Sequence, residues 1–276
     1  MRWREYQRLQ RVAEVGDRFV SFVDQGSGDP VVLIHGIPTW GYLWHGLLPR
    51  LAETHRVLVP DLLGFGYSDK GDRFDRSIAR QAEMLDLWMS TIGVERADVV
   101  AHDIGGGVAL RLATLLPHRV RRLVLMNVVC YDSWPVEAML QLGHPYVYRK
   151  TSASTLLAGL KQGLKMGFDS DAPAELLDGL LAPYSTEVGK LSLVRNAAAL
   201  NTNLTTEITP LLPRIEAPTL ILWGEGDKFQ PVHYGERLAW DIPGARLSRV
   251  ADARHFVMLD QPEAVGEQLA RFLGGT

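Results

Sequence analysis

Short runs of apolar residues alternate along the first half of the chain with longer segments in which apolar residues recur every three or four positions. The short runs predict buried strands at 31–34, 57–59, 99–100 and 120–126. The longer segments predict helices at about 78–92 and 105–116. Strands that alternate with helices are typical of a parallel sheet with helices on both faces, so the pattern predicts an α/β fold.

The pattern changes after Asn127. Residues 128–210 show helical spacing, clearest around 156–166 and 174–181, and no convincing strand. Strand patterns return at 219–223 and 246–250, and a last helix is predicted at 262–273. We therefore predict a core domain of residues 1–127 and 211–276 that is interrupted by a helical cap domain of residues 128–210. Because α/β sheets bind ligands beyond the carboxyl ends of their strands, such a cap would cover the site.

Composition and charge narrow the classes of partner. The chain has 276 residues, of which 46% are hydrophobic, enough for a sizeable core. Its 29 basic and 32 acidic residues give a net charge of −3, which offers no reason to expect nucleic acid or a membrane surface as a partner. No apolar run approaches the roughly 20 residues of a membrane span, and the N-terminus lacks a signal-peptide pattern. We expect either a monomer or a homodimer.

Cysteine and histidine usage bears on location and cofactors. The single cysteine, Cys130, cannot form an internal disulfide, which is compatible with a reducing compartment, so we expect a cytoplasmic protein. The eight histidines show no metal-ligand spacing, and the glycines at 105–107 do not match a dinucleotide fingerprint. We therefore expect neither a metal nor an organic cofactor.

Three residues that could carry chemistry each follow a predicted strand. Residues 98–107 predict a short buried strand, a tight turn and a helix that opens on glycines, with Asp103 at the apex of the turn. Asp227 follows the strand at 219–223, and His255 follows the strand at 246–250. Alone, each has an ordinary explanation: a helix N-cap, a loop aspartate and a packing histidine. Together, in this order, they indicate a nucleophile, an acid and a base.

With His35-Gly36-Ile37-Pro38 after the strand at 31–34, these motifs make the chain resemble the α/β-hydrolase family over almost its whole length. The resemblance implies an α/β-hydrolase fold, with a mostly parallel central sheet, helices on both faces and an inserted helical cap. It implies that Asp103 is the nucleophile, that His255 is the general base and that Asp227 orients His255. It also implies an oxyanion hole made by the backbone N–H groups of Ile37 and Ile104. One departure is mild: Ala101 stands where the family usually has glycine.

An aspartate at the turn apex resembles epoxide hydrolases, haloalkane dehalogenases and haloacetate dehalogenases. Residues 35–39, 42–44 and 60–70 are most similar to haloalkane dehalogenase segments, and the pattern His-Gly-any-Pro is similar to epoxide hydrolases too. A carboxylate that attacks an ester would form a high-energy anhydride, whereas attack at a saturated carbon forms an ordinary ester. Asp103 therefore argues against esterase, lipase and peptidase chemistry. We predict an alkyl ester on Asp103 that is hydrolysed by water activated by His255.

The leaving group distinguishes the subclasses. Haloalkane dehalogenases usually hold the halide with a tryptophan after the nucleophile and a second tryptophan or asparagine, but here these positions are Ile104 and Ile37. Haloacetate dehalogenases usually carry arginines near the nucleophile, which Ile104 and Gly107 do not match. Epoxide hydrolysis to a diol, with cap tyrosines as acids, is therefore slightly preferred. The alternatives are dehalogenation, another hydrolase reaction, or a non-catalytic ligand-binding protein of this fold.

The substrate is expected to be a small hydrophobic organic molecule that reacts with water. Its predicted contacts, or donors to the leaving group, are aromatic or imidazole side chains: Trp40, Tyr131, Trp134, His144, Tyr146, Tyr148 and Tyr184. One alternative concerns the acid, since Asp132 also follows a predicted strand and could orient His255 in place of Asp227.

Overall fold

The computed structural model describes residues 1–274 and contains one eight-stranded sheet in the order β1-β2-β4-β3-β5-β6-β7-β8. The strands are β1 Gln10–Val15, β2 Arg18–Gln25, β3 Pro30–Ile34, β4 Arg56–Pro60, β5 Ala97–Asp103, β6 Val120–Val128, β7 Thr219–Gly224 and β8 Arg246–Val250. Strands β3 to β8 pair in parallel, whereas β1 and β2 form an antiparallel hairpin at one edge. The predicted α/β fold with a mostly parallel sheet is confirmed.

Helices lie before, between and after the strands. They are α1 Trp3–Arg8, α2 Leu48–Ala52, α3 Ile78–Thr91, α4 Ile104–Leu115, α5 Glu137–Leu142, α6 Pro145–Lys150, α7 Ala153–Lys165, α8 Ala174–Leu181, α9 Glu187–Ala198, α10 Asn203–Thr206, α11 Val232–Asp241, α12 Val257–Asp260 and α13 Pro262–Leu273. Short 3₁₀ turns occur at Gly41–Trp44, Pro117–Arg119, Ala182–Tyr184 and Thr209–Arg214. Within residues 1–274, no helix is both long enough and apolar enough to cross a membrane.

The core lies around the central strands. Every residue of β5 and of β7 is buried, as expected for parallel strands that are covered on both faces. Helix α4 is buried from Ile104 to Ala113, so it packs against its neighbours on all sides. The rigid sheet therefore fixes the positions of the loops at its carboxyl edge.

The chain between β6 and β7, residues 129–218, contains helices and turns and no strand. Strand β6 continues to Val128, one residue past the predicted boundary at 127. Buried hydrogen bonds connect this helical segment to the rest of the molecule: Trp40 Nε1 donates to the carbonyl of Gly179 (2.9 Å), and Asn196 Nδ2 donates to the carbonyl of Gly64 (2.8 Å). The segment is therefore held against the loops that follow β3 and β4. The division into a core domain and a cap domain stays a prediction.

Candidate active site

The turn between β5 and α4 presents Asp103 in a strained conformation. Asp103 has φ 53° and ψ −126°, in the positive-φ region that residues other than glycine rarely adopt. The glycines after it let α4 approach the sheet closely. A Cβ at Gly105 would overlap the carbonyl oxygen of Ile34, and one at Gly106 would overlap the side chain of Val128. The close packing of α4 therefore holds the turn in place, with Asp103 at its apex.

Both predicted oxyanion-hole donors reach the Asp103 carboxylate. The backbone N–H of Ile37 donates to Asp103 Oδ1 at 2.7 Å, and the N–H of Ile104 is directed at the same carboxylate. The loop that carries Ile37 is held by His35, whose Nε2 accepts the N–H of Leu62 (3.0 Å) and whose Nδ1 donates to the carbonyl of Gly36 (2.9 Å). The Asp103 carboxylate thus already lies where two N–H groups would stabilise a negative charge.

The imidazole of His255 lies between two carboxylates. Its Nδ1 is 2.9 Å from Asp227 Oδ2, and its Nε2 is 3.7 Å from Asp103 Oδ2. Because the Asp227 carboxylate is an acceptor, Nδ1 carries the proton, which leaves Nε2 directed at the side where a base would act. The alternative acid, Asp132, is exposed and its carboxylate lies 3.5 Å from the hydroxyl of Tyr234. The structure therefore pairs His255 with Asp227.

A residue that the sequence did not single out holds the acid. Asn127 Nδ2 donates to Asp227 Oδ2 at 2.7 Å, while Asn127 Oδ1 accepts the N–H of Gly224 at 3.1 Å. Asp227 Oδ1 in turn accepts the N–H groups of Phe229 (2.7 Å) and Gln230 (3.1 Å). Asn127 lies near the carboxyl end of β6, so the rule that located Asp103, Asp227 and His255 could have found it.

Burial and charge act in opposite directions on these groups. Burial raises the pKa of Asp103 above the ordinary value, although the charge of His255 and the N–H groups of Ile104 and Ile37 oppose the shift. Burial alone would lower the pKa of His255, but the charge and hydrogen bond of Asp227, together with the charges of Asp103 and Asp260, raise that pKa above its ordinary value. Burial lowers the pKa of the adjacent His102 well below its usual range. That imidazole is therefore neutral and donates from Nε2 to the carbonyl of His255 (2.9 Å).

Above Asp103 and His255 lies a small cavity of about 100 Å³. Apart from Asp103, His255, Trp134 and Gln230, its side chains are apolar, and Trp134 Nε1 already donates to Thr205 Oγ1 at 2.7 Å. The lining residues from the sheet side are Ile37, Pro38, Asp103, Ile104, Val129, Phe229, Gln230, His255 and Phe256, and those from the helical segment are Trp134, Pro135, Val136, Ala138, Met139, Leu160, Gly163, Leu164, Met166 and Leu200. A small apolar molecule fits this lining.

Most of the aromatic residues predicted to contact the substrate are held elsewhere. Trp134 lines the cavity, but Trp40 is fully buried against Tyr6 and Tyr42. The buried Tyr184 donates its hydroxyl to the carbonyl of Thr39 (3.1 Å). The other candidates outside the cavity are Tyr131, which donates to Asp241, and the exposed His144, Tyr146 and Tyr148. The structure therefore does not bring Trp40, Tyr146, Tyr148 or Tyr184 to the site. The prediction was wrong for these four residues because the spacing of apolar residues does not show which face of a helix meets a cavity.

Across the residues that the structure describes, no group of three histidine, cysteine, aspartate or glutamate side chains could hold a metal ion. The site brings together the side chains of Asp103, Asp227 and His255.

Comparison with known proteins gives the family. The model of the α/β hydrolase fold family matches residues 29–161 and 189–262. Cis-3-alkyl-4-alkyloxetan-2-one decarboxylase of Shewanella oneidensis is 26% identical over 275 residues, covering 92% of this chain and 85% of that protein. Haloalkane dehalogenase 2 of Mycobacterium tuberculosis is 24% identical over 265 residues, covering 92% and 91%. The crystal structure of an α/β hydrolase fold protein from Burkholderia ambifaria has a TM-score of 0.86 and 28% identity, covering 96% of this chain and 99% of that one. The chain therefore belongs to the α/β-hydrolase fold family and is an α/β-fold hydrolase.

Proposed function

We propose that the protein displaces a leaving group from a saturated carbon by forming an ester with Asp103. The observation that carries this proposal is the unequal environment of the two carboxylate oxygens. Oδ1 accepts the Ile37 N–H at 2.7 Å, whereas Oδ2 faces His255 Nε2 at 3.7 Å at the floor of the apolar cavity. Attack by Oδ2 forms a carbon–oxygen bond, and the leaving group departs with the electrons of the bond that breaks.

Hydrolysis of this ester uses the same geometry. His255 Nε2 takes a proton from water, and the resulting hydroxide attacks Cγ of Asp103. Negative charge then develops on Oδ1, which already accepts the Ile37 N–H, while the Ile104 N–H is directed at the same carboxyl group. One such donor contributes about 10²–10³-fold to the rate in comparable sites. Collapse of the intermediate releases the alcohol, which takes the proton from His255 and leaves Asp103 as a carboxylic acid. Loss of that proton to solvent restores the Asp103 carboxylate.

The lining of the cavity bears on the leaving group. Opening an epoxide yields an alkoxide, which needs a proton donor, and no tyrosine is among the lining residues. A halide is stable as an anion and needs no proton. The lining also includes no arginine or lysine that could hold the carboxylate of a haloacid. These features favour dehalogenation of a small haloalkane over the predicted epoxide hydrolysis.

Decarboxylation of an oxetan-2-one is a second candidate reaction, supported by the name of one relative. The relative in Shewanella oneidensis, aligned over 92% of this chain, is named for the decarboxylation of an oxetan-2-one. Attack of Asp103 on the saturated ring carbon that is bonded to the ring oxygen would open the ring and release a carboxylate, which is also stable as an anion. Loss of CO₂ with expulsion of the Asp103 carboxylate would then give an alkene and consume no water.

We further propose that residues 128–210 form a cap over this site. The apolar lining that faces Asp103 includes residues of α5, of α7 and of the chain before α5, and it also includes Leu200, which lies just after α9. A cap of this kind excludes bulk water from the attack on carbon and selects small apolar molecules by size.

The experiment uses three substrate panels: bromoalkanes, aliphatic epoxides and cis-dialkyl oxetan-2-ones. We expect halide release from the first panel, and His255→Phe should accumulate an alkyl ester on Asp103 that intact mass spectrometry detects. Asp103→Ala is the control and should carry no adduct. Diol formation without halide release would restore epoxide hydrolysis as the proposed reaction. Alkene formation by both the wild type and His255→Phe would select the lactone reaction. Turnover of a haloalkane by the wild type without any adduct on His255→Phe would contradict the covalent mechanism.

A further inference from the structure

One buried side-chain amide of the cavity has no role in the reaction described above. Gln230 is 2% exposed and lines the cavity, and its Oε1 has no hydrogen-bond partner within the part of the chain that the structure describes. Its backbone is fixed, because its N–H donates to Asp227 Oδ1 (3.1 Å) and its carbonyl accepts from Trp223 Nε1 (2.8 Å). A buried amide without a partner is unfavourable, and such groups call for an explanation.

We propose that the side-chain amide of Gln230 donates a hydrogen bond to the leaving anion. The inference rests on the proposed function. Of the polar side chains that line the cavity, Asp103 attacks, His255 activates water, and the indole N–H of Trp134 is bonded to Thr205. Gln230 supplies the remaining donor. Rotation of the amide exchanges its oxygen and its NH₂ group, so it can direct the NH₂ into the cavity.

The movement of charge explains why such a donor is needed. Attack turns the negative Asp103 carboxylate into a neutral ester, while the leaving group becomes negative. One unit of negative charge therefore moves from the floor of the cavity into its apolar part, where an unpartnered anion is strongly unfavourable. Hydrogen bonds to a charged acceptor are stronger than those between neutral groups.

The same donor restricts the substrate. An amide donates hydrogen bonds but does not give up its proton, so it suits a halide or a carboxylate that departs as a stable anion. It does not serve an epoxide oxygen, which must be protonated. Gln230 thus determines specificity for the leaving group through direct contact with it.

The first test measures anion binding without turnover. Bromide is titrated into the wild-type protein and into Gln230→Met, which is similar in shape, and binding is followed by the linewidth of the ⁸¹Br NMR signal. We expect bromide affinity to fall about tenfold or more in Gln230→Met, the range for a hydrogen bond to a charged group. Gln141→Met makes the same change at an exposed glutamine of α5 that does not line the cavity, so it is the matched control and should bind bromide as the wild type does. Equal bromide binding by the wild type and Gln230→Met would overturn the proposal.

The second test separates departure of the leaving group from ester hydrolysis. In the His255→Phe background, Gln230→Met should slow the formation of the Asp103 adduct about tenfold or more. The effect should be larger for a chloroalkane than for the matching bromoalkane, because chloride is the poorer leaving group. An unchanged rate of adduct formation, with slower hydrolysis when His255 is present, would overturn the proposal and assign Gln230 to the water.

Failure of the proposed function has a different signature. If no substrate gives an adduct in any variant, the ester mechanism fails, and bromide binding alone decides the role of Gln230. Bromide bound by the wild type and lost in Gln230→Met would preserve the anion site, and equal binding would overturn it. Gln230→Glu is a second variant of nearly the same size. Its negative charge should abolish bromide binding, and retained binding would likewise contradict the site.

Discussion

For individual residues, the raised pKa of His255 predicts how ester hydrolysis depends on pH. Hydrolysis needs the neutral imidazole, so its rate should fall as the pH decreases through that raised pKa. Asp227 contributes the largest of the effects that raise this pKa, by its charge and its hydrogen bond. In Asp227→Asn the fall should therefore occur at lower pH, and the rate should drop about 10⁴-fold, as when an amide imposes the wrong tautomer on a catalytic histidine. Single-turnover decay of the Asp103 ester, followed by mass spectrometry across pH, measures both effects.

Asp132→Asn is the matched control for this experiment, because it removes the same charge from an exposed aspartate that contacts Tyr234. Its pH profile and rate should be those of the wild type. A shift caused by Asp132→Asn and not by Asp227→Asn would assign the acid to Asp132.

Among the elements, the contact of α4 with β6 depends on a glycine. A Cβ at Gly106 would overlap the side chain of Val128, so Gly106→Ala should lower the free energy of unfolding by about 1–3 kcal/mol through overpacking. Gly159 lies within α7, and a Cβ there would meet no atom within 4 Å. Gly159→Ala should raise the free energy of unfolding by about 0.5–1 kcal/mol, because alanine favours a helix over glycine. Urea unfolding of both variants tests the opposite signs, and equal effects would contradict the close packing of α4.

The elements that the sequence predicts most clearly are strands made of consecutive apolar residues and helices with regularly spaced apolar residues. Compact apolar runs predict strands β3 to β7, and β5 and β7 are indeed buried along their whole length. Neither strand of the edge hairpin gives an uninterrupted apolar run, because β1 is buried only at Ala13 and Val15 and the buried part of β2 is interrupted by Ser21. Helices α3, α4, α7, α8 and α13 were predicted from their spacing, whereas α5, α6 and α9 have no distinct pattern of their own.

The residues of the candidate site are likewise predictable from the sequence only in part. Asp103, Asp227 and His255 are brought together because each lies at or shortly after the carboxyl end of a strand of one parallel sheet, and that order of elements is visible in the sequence. Gln230 was not found, because its importance comes from an unpartnered amide in a cavity that only the folded chain defines. The tyrosines of the helical segment were misplaced for the related reason that their direction depends on packing between helices.

At the level of the whole molecule, one buried cation connects the helical segment to the sheet. Arg76 Nη1 donates to Asn196 Oδ1 (2.6 Å) and to Ser192 Oγ (2.8 Å), both on α9, while Asn196 Nδ2 donates to the carbonyl of Gly64. Burial lowers the pKa of Arg76 to about 10, because the charged guanidinium is poorly solvated there. The position of the segment over the cavity therefore rests partly on Asn196.

Removing that side chain should loosen the segment without unfolding the sheet. Asn196→Ala deprives Arg76 of an acceptor and Gly64 of a donor, which should lower the free energy of unfolding by about 2–3 kcal/mol. Hydrogen exchange should become faster in α9, while the amides of β5, at the centre of the sheet, keep their protection. The exposed Asn203 in α10 offers a matched control, since Asn203→Ala should change neither measurement. A uniform rise of exchange in α9 and β5 would mean that segment and sheet open as one unit, and unchanged exchange in α9 would mean that the contacts of Arg76 do not hold the segment in place.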